Sequence, residues 1–528
     1  MTTLNKTLCL TVLAASAVLS ACGGGGGGDK QDDSWIGKPT TNVPTTNKGG
    51  TGNGGTTNGG GTPTPDSGGN KDGGGKPATG GDGGGTPTTG GDGGGKPTPG
   101  GDGGDSGGKP TPGGDGGDSG GKPTPGGDGG DSGGKPTPGG DGGDSGGKPT
   151  PGGDGDGGET VKDSNTIPIT VEQYGPPIGY NVNQPYVSIT LCPPGSKDPT
   201  ECKTIDHMLL DTGSVGVRVI ASQIPAALQA KLPAQTGATN DLTGKAPLAE
   251  CALFGSGFTW GSIKQADVLM GDKKAPALPI QIVSDPDLST VPTTCTSRGG
   301  PNIGSVDGII ANGVVGIGHT ARDSAVNYYY CPSATSCTTA TVAATSQVMH
   351  PVMAFATDNN GTIIRLPAVP ATGQAKVTGE LVFGIGTRTN NALPAAAAII
   401  PVDAYGRYMT TYNGIARRSL IDSGTNTLVF VDATIPVKPN GFYEPLTPAT
   451  LITQMAAQSS GTTVQKEVKF TIENSTTLFA TGNTAFSSLG LYSSVASAWG
   501  LPFFFGRDVY TVVDTAKIGG LAGPFVAF

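Results

Sequence analysis

The chain has 528 residues, 94 of them Gly and 43 Pro, with 34% apolar, 5% aromatic and 14% charged side chains. Of the 94 glycines 59 fall in residues 1–160, so residues 161–528 have an ordinary composition and length enough for a large core or two domains. The net charge of −9 divides the same way: residues 23–160 carry 10 basic against 18 acidic groups, and residues 161–528 carry 22 against 24. These figures exclude a wholly disordered chain, and the glycines keep no period of three, which excludes a collagen. No basic face is broad enough for a phosphate backbone, so nucleic acid is not an expected partner.

Residues 1–21 read as an export signal: Lys6 supplies the positive start, and residues 8–19 are apolar apart from Thr11 and Ser16. The run is too short to span a bilayer as a stable helix. It ends in Leu19-Ser20-Ala21-Cys22, which resembles the bacterial lipobox, so Cys22 is the expected lipidation site. The resemblance implies an outer-membrane lipid as partner, because Gly23 stands where an Asp would retain the protein at the inner membrane. The domain facing the periplasm and the domain facing the cell surface are equally compatible with it.

Residues 22–160 are expected to be the lipidated Cys followed by a disordered linker. From Lys96 a thirteen-residue phrase, Lys-Pro-Thr-Pro-Gly-Gly-Asp-Gly-Gly-Asp-Ser-Gly-Gly, restarts at Lys109, Lys122 and Lys135, with a degenerate copy at Lys148. No position in it supplies a packing side chain, so the copies cannot stack and nothing offsets the entropy of ordering them. A tether that lifts the folded part off a membrane fits this composition.

After Val161 the texture changes to short Val, Ile, Thr and Tyr-rich runs separated by Gly, Pro, Asn and Asp. Strands are predicted at 186–191, 208–210, 266–270, 279–283, 381–384, 466–472 and 509–513. Amphipathic helices are predicted at 221–232, interrupted by Pro225, and at 449–459. The fold class is therefore mostly β, since a doubly wound α/β fold needs long helices between strands. Six cysteines follow Cys22, an even count that in an exported chain reads as three disulfides. Cys192 and Cys202 flank a loop between strand-like runs, Cys331 and Cys337 close a small loop, and Cys251 and Cys295 remain; other pairings are open to six cysteines. The three histidines, His207, His319 and His350, are scattered, so neither a metal nor another cofactor is expected.

One phrase occurs twice. Leu210-Asp211-Thr212-Gly213-Ser214 and Ile421-Asp422-Ser423-Gly424-Thr425 each break an apolar run at an Asp, followed by a hydroxyl residue, a Gly and a second hydroxyl residue. A strand delivers the Asp, the Gly permits a sharp turn, and Thr212, Ser214, Ser423 and Thr425 can orient the carboxylates. The two copies are centred in the halves of residues 161–528.

On these residues the chain resembles the pepsin-like aspartic peptidases, in which each of two lobes supplies one Asp. Phe254-Gly255-Ser256-Gly257 resembles the tip of that family's flap. Asp307-Gly308-Ile309-Ile310 with Val314-Val315-Gly316, Gly379–Gly384 and Asp508–Asp514 resemble further segments in the same order. The chain is also similar to a family of uncharacterised lipoproteins of Gram-negative bacteria. The resemblance implies a bilobal double β-barrel, with an N-terminal lobe over 165–370 and a C-terminal lobe over 371–528, acting as a monomer. It implies a membrane-tethered aspartic endopeptidase in which Asp211 and Asp422 share one proton and activate water against an extended peptide between the lobes. The alternative is a non-catalytic binding or structural lipoprotein on the same scaffold. Two departures matter: the family's flap Tyr is Phe254 here, and its partner Trp is Arg218. The second lobe also reads Trp499-Gly500-Leu501 where the family has an Asp after the Gly.

Overall fold

The computed structural model describes residues 164–175, 181–324, 326–457 and 465–528. The signal, Cys22 and the Gly-rich repeats lie outside the described residues. What is described is mostly β, in two sheet lobes: a 15-stranded sheet folds into the first lobe and continues into a stretch shared with the second half of the chain, and a seven-stranded sheet makes the second lobe.

The first half of the chain runs through β1 (Thr166–Val171), β2 (Pro185–Cys192), β3 (Lys203–Asp211), β4 (Val215–Ile220), β5 (Leu248–Phe254), β6 (Gly257–Met270), β7 (Lys273–Val283) and β8 (Gly313–Ile317). A hairpin of β9 (Tyr328–Ser333) and β10 (Ser336–Thr339) extends the sheet beyond β5. The barrel closes because β6, at 14 residues, is long enough to pair with β7 and also to reach β2, where Cys192 lies opposite Asp267. The ring is β2–β3–β8–β4–β7–β6. Its interior is apolar, with Leu210, Val217, Val219, Ile280 and Ile282 fully buried.

The second half supplies β11 (Gly361–Leu366), β12 (Val377–Phe383), β13 (Ile399–Pro401), β14 (Tyr408–Tyr412), β15 (Ile415–Ile421), β16 (Leu428–Phe430), β17 (Ala449–Ala456), β18 (Gln465–Ile472), β19 (Gly490–Tyr492), β20 (Ala498–Trp499) and β21 (Arg507–Val512). A short hairpin, β22 (Lys517–Ile518) and β23 (Leu521–Ala522), precedes β24 (Phe525–Ala527). The shared sheet has the order β1–β12–β11–β21–β24–β13, antiparallel throughout. The second lobe is the seven-stranded sheet β18–β17–β14–β15–β20–β16–β19.

Three expectations are corrected here. The second lobe is a half-barrel, not a closed one: β18 and β19 are sheet edges, and no strand there has the length with which β6 closes the first lobe. The segment expected as a helix over 449–459 is strand β17 at Ala449–Ala456, paired with β14 on one side and β18 on the other. Its burial alternates, with Thr453 and Met455 inward and Thr450 and Ile452 outward, a period of two that β-branched side chains favour over a helix. The other helix candidate is reduced to a 3-10 turn at Ala221–Gln223 and one α turn at Ala226–Gln229, separated by the extended Pro225.

The disulfides are Cys192–Cys202, Cys251–Cys295 and Cys331–Cys337, the pairing that the spacing favours. Among the described residues no helix is long and apolar enough to cross a membrane.

Candidate functional site

Each repeated phrase sits at the end of a strand that runs parallel to one neighbour. In the first lobe β3 runs parallel to β8, which is antiparallel to β4, so Asp211 lies level with Gly316. In the second lobe β15 runs parallel to β20, which is antiparallel to β16, so Ile421 lies level with Trp499, one residue before Gly500. Gly500 is therefore the counterpart of Gly316. Both are glycine for the same reason: a Cβ on Gly316 would come within 2.7 Å of Ser214 backbone, and one on Gly500 within 2.3 Å of the Thr425 carbonyl oxygen. The turn after each Asp folds back onto that position, and only a residue without a side chain leaves room for it.

The hydrogen bonds repeat as the phrases do. The Gly213 amide donates to Asp211 Oδ1 at 2.8 Å, and the Gly424 amide donates to Asp422 Oδ1 at 2.9 Å. The hydroxyls of Ser214 and Thr425 donate to the other oxygen of their own Asp. Thr212 and Ser423 then cross between the lobes. Thr212 Oγ1 donates to the Ile421 carbonyl at 3.1 Å and accepts from the Ser423 amide at 2.9 Å. Ser423 Oγ donates to the Leu210 carbonyl at 2.7 Å and accepts from the Thr212 amide at 3.0 Å. Four residues with no contact in sequence thus bolt two turns 211 residues apart into one unit.

This brings the carboxyl groups of Asp211 and Asp422 into hydrogen-bonding contact with each other. Both residues are 0% exposed. Burial raises the pKa of each toward the protonated form, and for Asp422 the adjoining charge of Asp211 adds to it, taking it well above the usual carboxylate range. Asp211 is raised by burial and relieved by the bonds from Asp422, Ser214 and Gly213 and by the charge of Arg218. The pair is a unit that holds a proton at pH values where isolated carboxyls have lost theirs.

Phe254, Gly255 and Gly257 form the tip of the β5–β6 hairpin, with Phe254 opposite Gly257. That hairpin is fixed on three counts. β5 is bonded along its outer edge to β9. Past the tip, the Phe258 amide donates to the Pro301 carbonyl, and the Ile303 amide donates to the Phe258 carbonyl. The buried Cys251–Cys295 bridge ties β5 to the turn Thr293–Thr296. Gly257 itself lies so close to the 300–303 segment that an added Cβ would meet the Pro301 oxygen at 2.2 Å.

The two replaced positions also meet. The Arg218 guanidinium lies over the Phe254 ring, 5.7 Å from its centre. Arg218 is buried on β4, where Nη2 donates to Glu250 on β5 at 2.8 Å and to Asp323 in the loop after β8, while Nη1 donates to the Val215 carbonyl at 2.8 Å. An aromatic contact in the resembling family is here a buried ion triad. Sequence reasoning missed Glu250 and Asp323; the signal available was Glu250, a lone charge in the otherwise apolar strand Leu248–Phe254. It also missed Asn183, whose amide donates to the carbonyls of Asn426 and Phe486, tying the approach to β2 to the loop that follows Asp422.

Among the described residues no group of three or more His, Cys, Asp or Glu is placed to hold a metal ion. His207 stacks on Tyr174 at 4.0 Å, His319 bonds the Val512 carbonyl, and His350 is buried with its pKa pushed down to about 4 by burial.

Two β lobes about a shared sheet, with one Asp-bearing turn from each, make this a pepsin-like bilobal β protein of the kind that fits a protease-like fold class. Residues 161–528 match the family model described as "Protein of unknown function (DUF3443)", and the chain belongs to that family. No curated protein matches the chain.

Proposed function

We propose that this chain is a pepsin-like module of the cell envelope that binds an extended peptide or a partner segment without cleaving it, its aspartate pair kept as a closed structural bolt. The carrying observation is the fixed hairpin: the element that the resemblance makes the cover of the pair is bonded to β9, bonded to residues 301–303 and stapled through Cys251–Cys295. Full burial of both carboxyls and loss of the flap Tyr support the same reading. The lipobox at Cys22 and the three disulfides support an exported protein, lipid-anchored at the outer membrane by the Gly-rich tether, facing either the periplasm or the cell surface, and acting as a monomer.

A second reading, an aspartic endopeptidase, is favoured by the duplicated hydrogen-bond pattern about Asp211 and Asp422. In it, the ionised carboxyl takes a proton from a water that adds to the scissile carbonyl carbon, while the protonated carboxyl gives its proton to the carbonyl oxygen. Collapse of the tetrahedral adduct then breaks the C–N bond as the leaving nitrogen takes up a proton. Thr212, Ser214, Ser423 and Thr425 would hold the carboxyls, and the hairpin at Phe254, Gly255 and Gly257 would cover the substrate.

The test incubates the full chain with a mixed peptide library from pH 3 to 7 and reads the peptides by mass spectrometry. The binding reading expects a subset retained on the protein and recovered intact. Cleavage by the wild type that is absent from Asp211→Ala and Asp422→Ala overturns it in favour of the peptidase.

A further inference from the structure

The two Asp turns are related by an approximate twofold, so the register identifies counterparts residue by residue. Arg218 lies level with Val314 and, through it, with Leu209; Val429 lies level with Ala498 and, through it, with Leu420. Leu209 and Leu420 each stand two residues before their Asp. Arg218 and Val429 therefore occupy the same place, each seven residues after its Asp. One is a guanidinium and the other an aliphatic side chain, both buried. The hydrogen bonds to the pair are symmetric; the charge beside it is not.

We propose that Arg218 is a positioning residue that makes the aspartate pair asymmetric, keeping its negative charge on Asp211 and its proton on Asp422. The guanidinium is held by Glu250 and Asp323, and its Nη1 donates to the carbonyl of Val215, the residue after Ser214, whose hydroxyl donates to Asp211. The cation is thereby one residue removed from the group that grips Asp211. The equivalent place behind Asp422 is taken by Val429, which packs in an apolar cluster with Leu420, Phe442 and Ala498. Between two fully buried carboxyls, a single cation placed on one side decides which of them ionises.

The groups packed about this corner agree with that assignment. The Arg218 charge favours ionised Asp211, whereas Asp422 is raised well above the usual range by burial and then by the Asp211 charge. Burial pushes Glu250 well above the carboxylate range, the Arg218 charge works against that, and the neighbouring Asp323 adds to it. Glu250 and Asp323 are the two carboxyls that hold the guanidinium in place. Tyr328 on β9 stays protonated, burial raising it well above its ordinary range, and His350 and His319 behind the end of β8 are pushed by burial toward the neutral form. Arg218 is the cation among these neighbours.

The inference rests on the aspartate pair of the proposed function but not on whether the pair is used for chemistry. Its test is a carbon-13 carboxyl titration of the full chain labelled at Asp, with each resonance assigned by loss in the Asn variant. Asp422→Asn leaves Asp211 alone, and Asp211→Asn leaves Asp422 alone. The lone Asp211 is expected to ionise at least about one pH unit below the lone Asp422, tenfold in acid constant. In a background of Arg218→Met, Glu250→Gln and Asp323→Asn, which removes the triad without stranding a charge, the difference is expected to collapse. Equal midpoints with Arg218 in place, or a difference that survives the triple substitution, overturns the proposal. Should the triple variant fail to melt cooperatively, Asp323→Asn alone takes away one of the two carboxyls around the cation. It is expected to lower the Asp211 midpoint and move that of Asp422 less, and an unmoved Asp211 midpoint overturns the proposal. Peptide cleavage or retention can fail with the titration difference intact, so the two readings stand or fall separately.

Discussion

Thr212 and Ser423 each cap the other's backbone: the Ser423 amide donates to Thr212 Oγ1 at 2.9 Å, and the Thr212 amide donates to Ser423 Oγ at 3.0 Å. Each hydroxyl then donates onward into the opposite lobe, to Ile421 and Leu210. Every donor and acceptor in this knot is buried, so removing one hydroxyl strands two backbone groups of the opposite lobe.

Ser423→Ala should accordingly cost about 1–3 kcal/mol, because the Thr212 amide loses its acceptor and the Leu210 carbonyl its donor. Thr212→Val should cost a similar amount. The double variant should cost clearly less than the sum, since the two hydroxyls hold the same pair of turns together and losing either loosens the turn that the other serves. Urea unfolding of the three variants gives the comparison, and strict additivity would mean that the residues act independently.

Removing the Cys251–Cys295 bridge should loosen the β5–β6 hairpin. The bridge spans 44 residues. Its loss in Cys251→Ala/Cys295→Ala should lower stability by about 2–4 kcal/mol, mainly through a freer unfolded chain. Hydrogen exchange should quicken at the amides of 251–260 more than in β3 or β8. Uniform acceleration across the barrel would place the effect of the bridge elsewhere.

Stability should respond to pH with opposite signs at two places. Burial works to raise Asp358, but hydrogen bonds from Arg388, Lys273 and Thr387 outweigh it and hold the carboxyl down to about 2. Its contribution is therefore present above the unfolded value near about 4 and lost as the pH falls toward 2, amounting to about 2 kcal/mol. Asp211 and Asp422 are raised, so their contribution is present below the unfolded value and lost as the pH rises through the folded ones. Melting curves from pH 2 to 9 should show Asp358→Asn flattening the acid limb alone and Asp422→Asn flattening the upper limb alone. Exchange of these two effects would invert the electrostatic assignment.

Gly500→Ala should disrupt the second lobe, because its Cβ would meet the Thr427 oxygen at 2.2 Å and the Thr425 oxygen at 2.3 Å. Overpacking against backbone costs about 1–3 kcal/mol or more. Gly414→Ala meets no atom within 4 Å but stands at φ +75°, so it is the control for left-handed backbone strain without overpacking and should lose only about 1 kcal/mol. Circular dichroism melts compare the two, and equal losses would remove the reason given for glycine behind the second Asp.

The Asp turns are legible in the sequence because a strand end, an Asp, a Gly and two hydroxyls must be adjacent to make one, and the same necessity wrote them twice. The Cys192–Cys202 and Cys331–Cys337 bridges are legible for a similar reason, since short loops confine their partners. What joins distant segments is less so. The triad of Arg218, Glu250 and Asp323 depends on β4, β5 and a loop meeting under a hairpin, and no local pattern records that meeting. The open second lobe follows from strand lengths and pairings, not from composition. At 449–456 an apolar spacing compatible with a helix is settled as a strand by the partners β14 and β18. The role of Gly500 emerges only when Ile421 is set level with Trp499.

Whether the aspartate pair is closed to ligands is tested most directly by the thermal shift of the full chain with a statine-type transition-state analogue at pH 4. A ligand that binds only the native state raises the melting temperature with its concentration. With both carboxyls buried and the β5–β6 hairpin fixed, the wild type should show no shift at any concentration tried. A concentration-dependent rise in the wild type, absent from Asp211→Ala and Asp422→Ala, would show that the pair is open to ligand and would contradict the closed bolt.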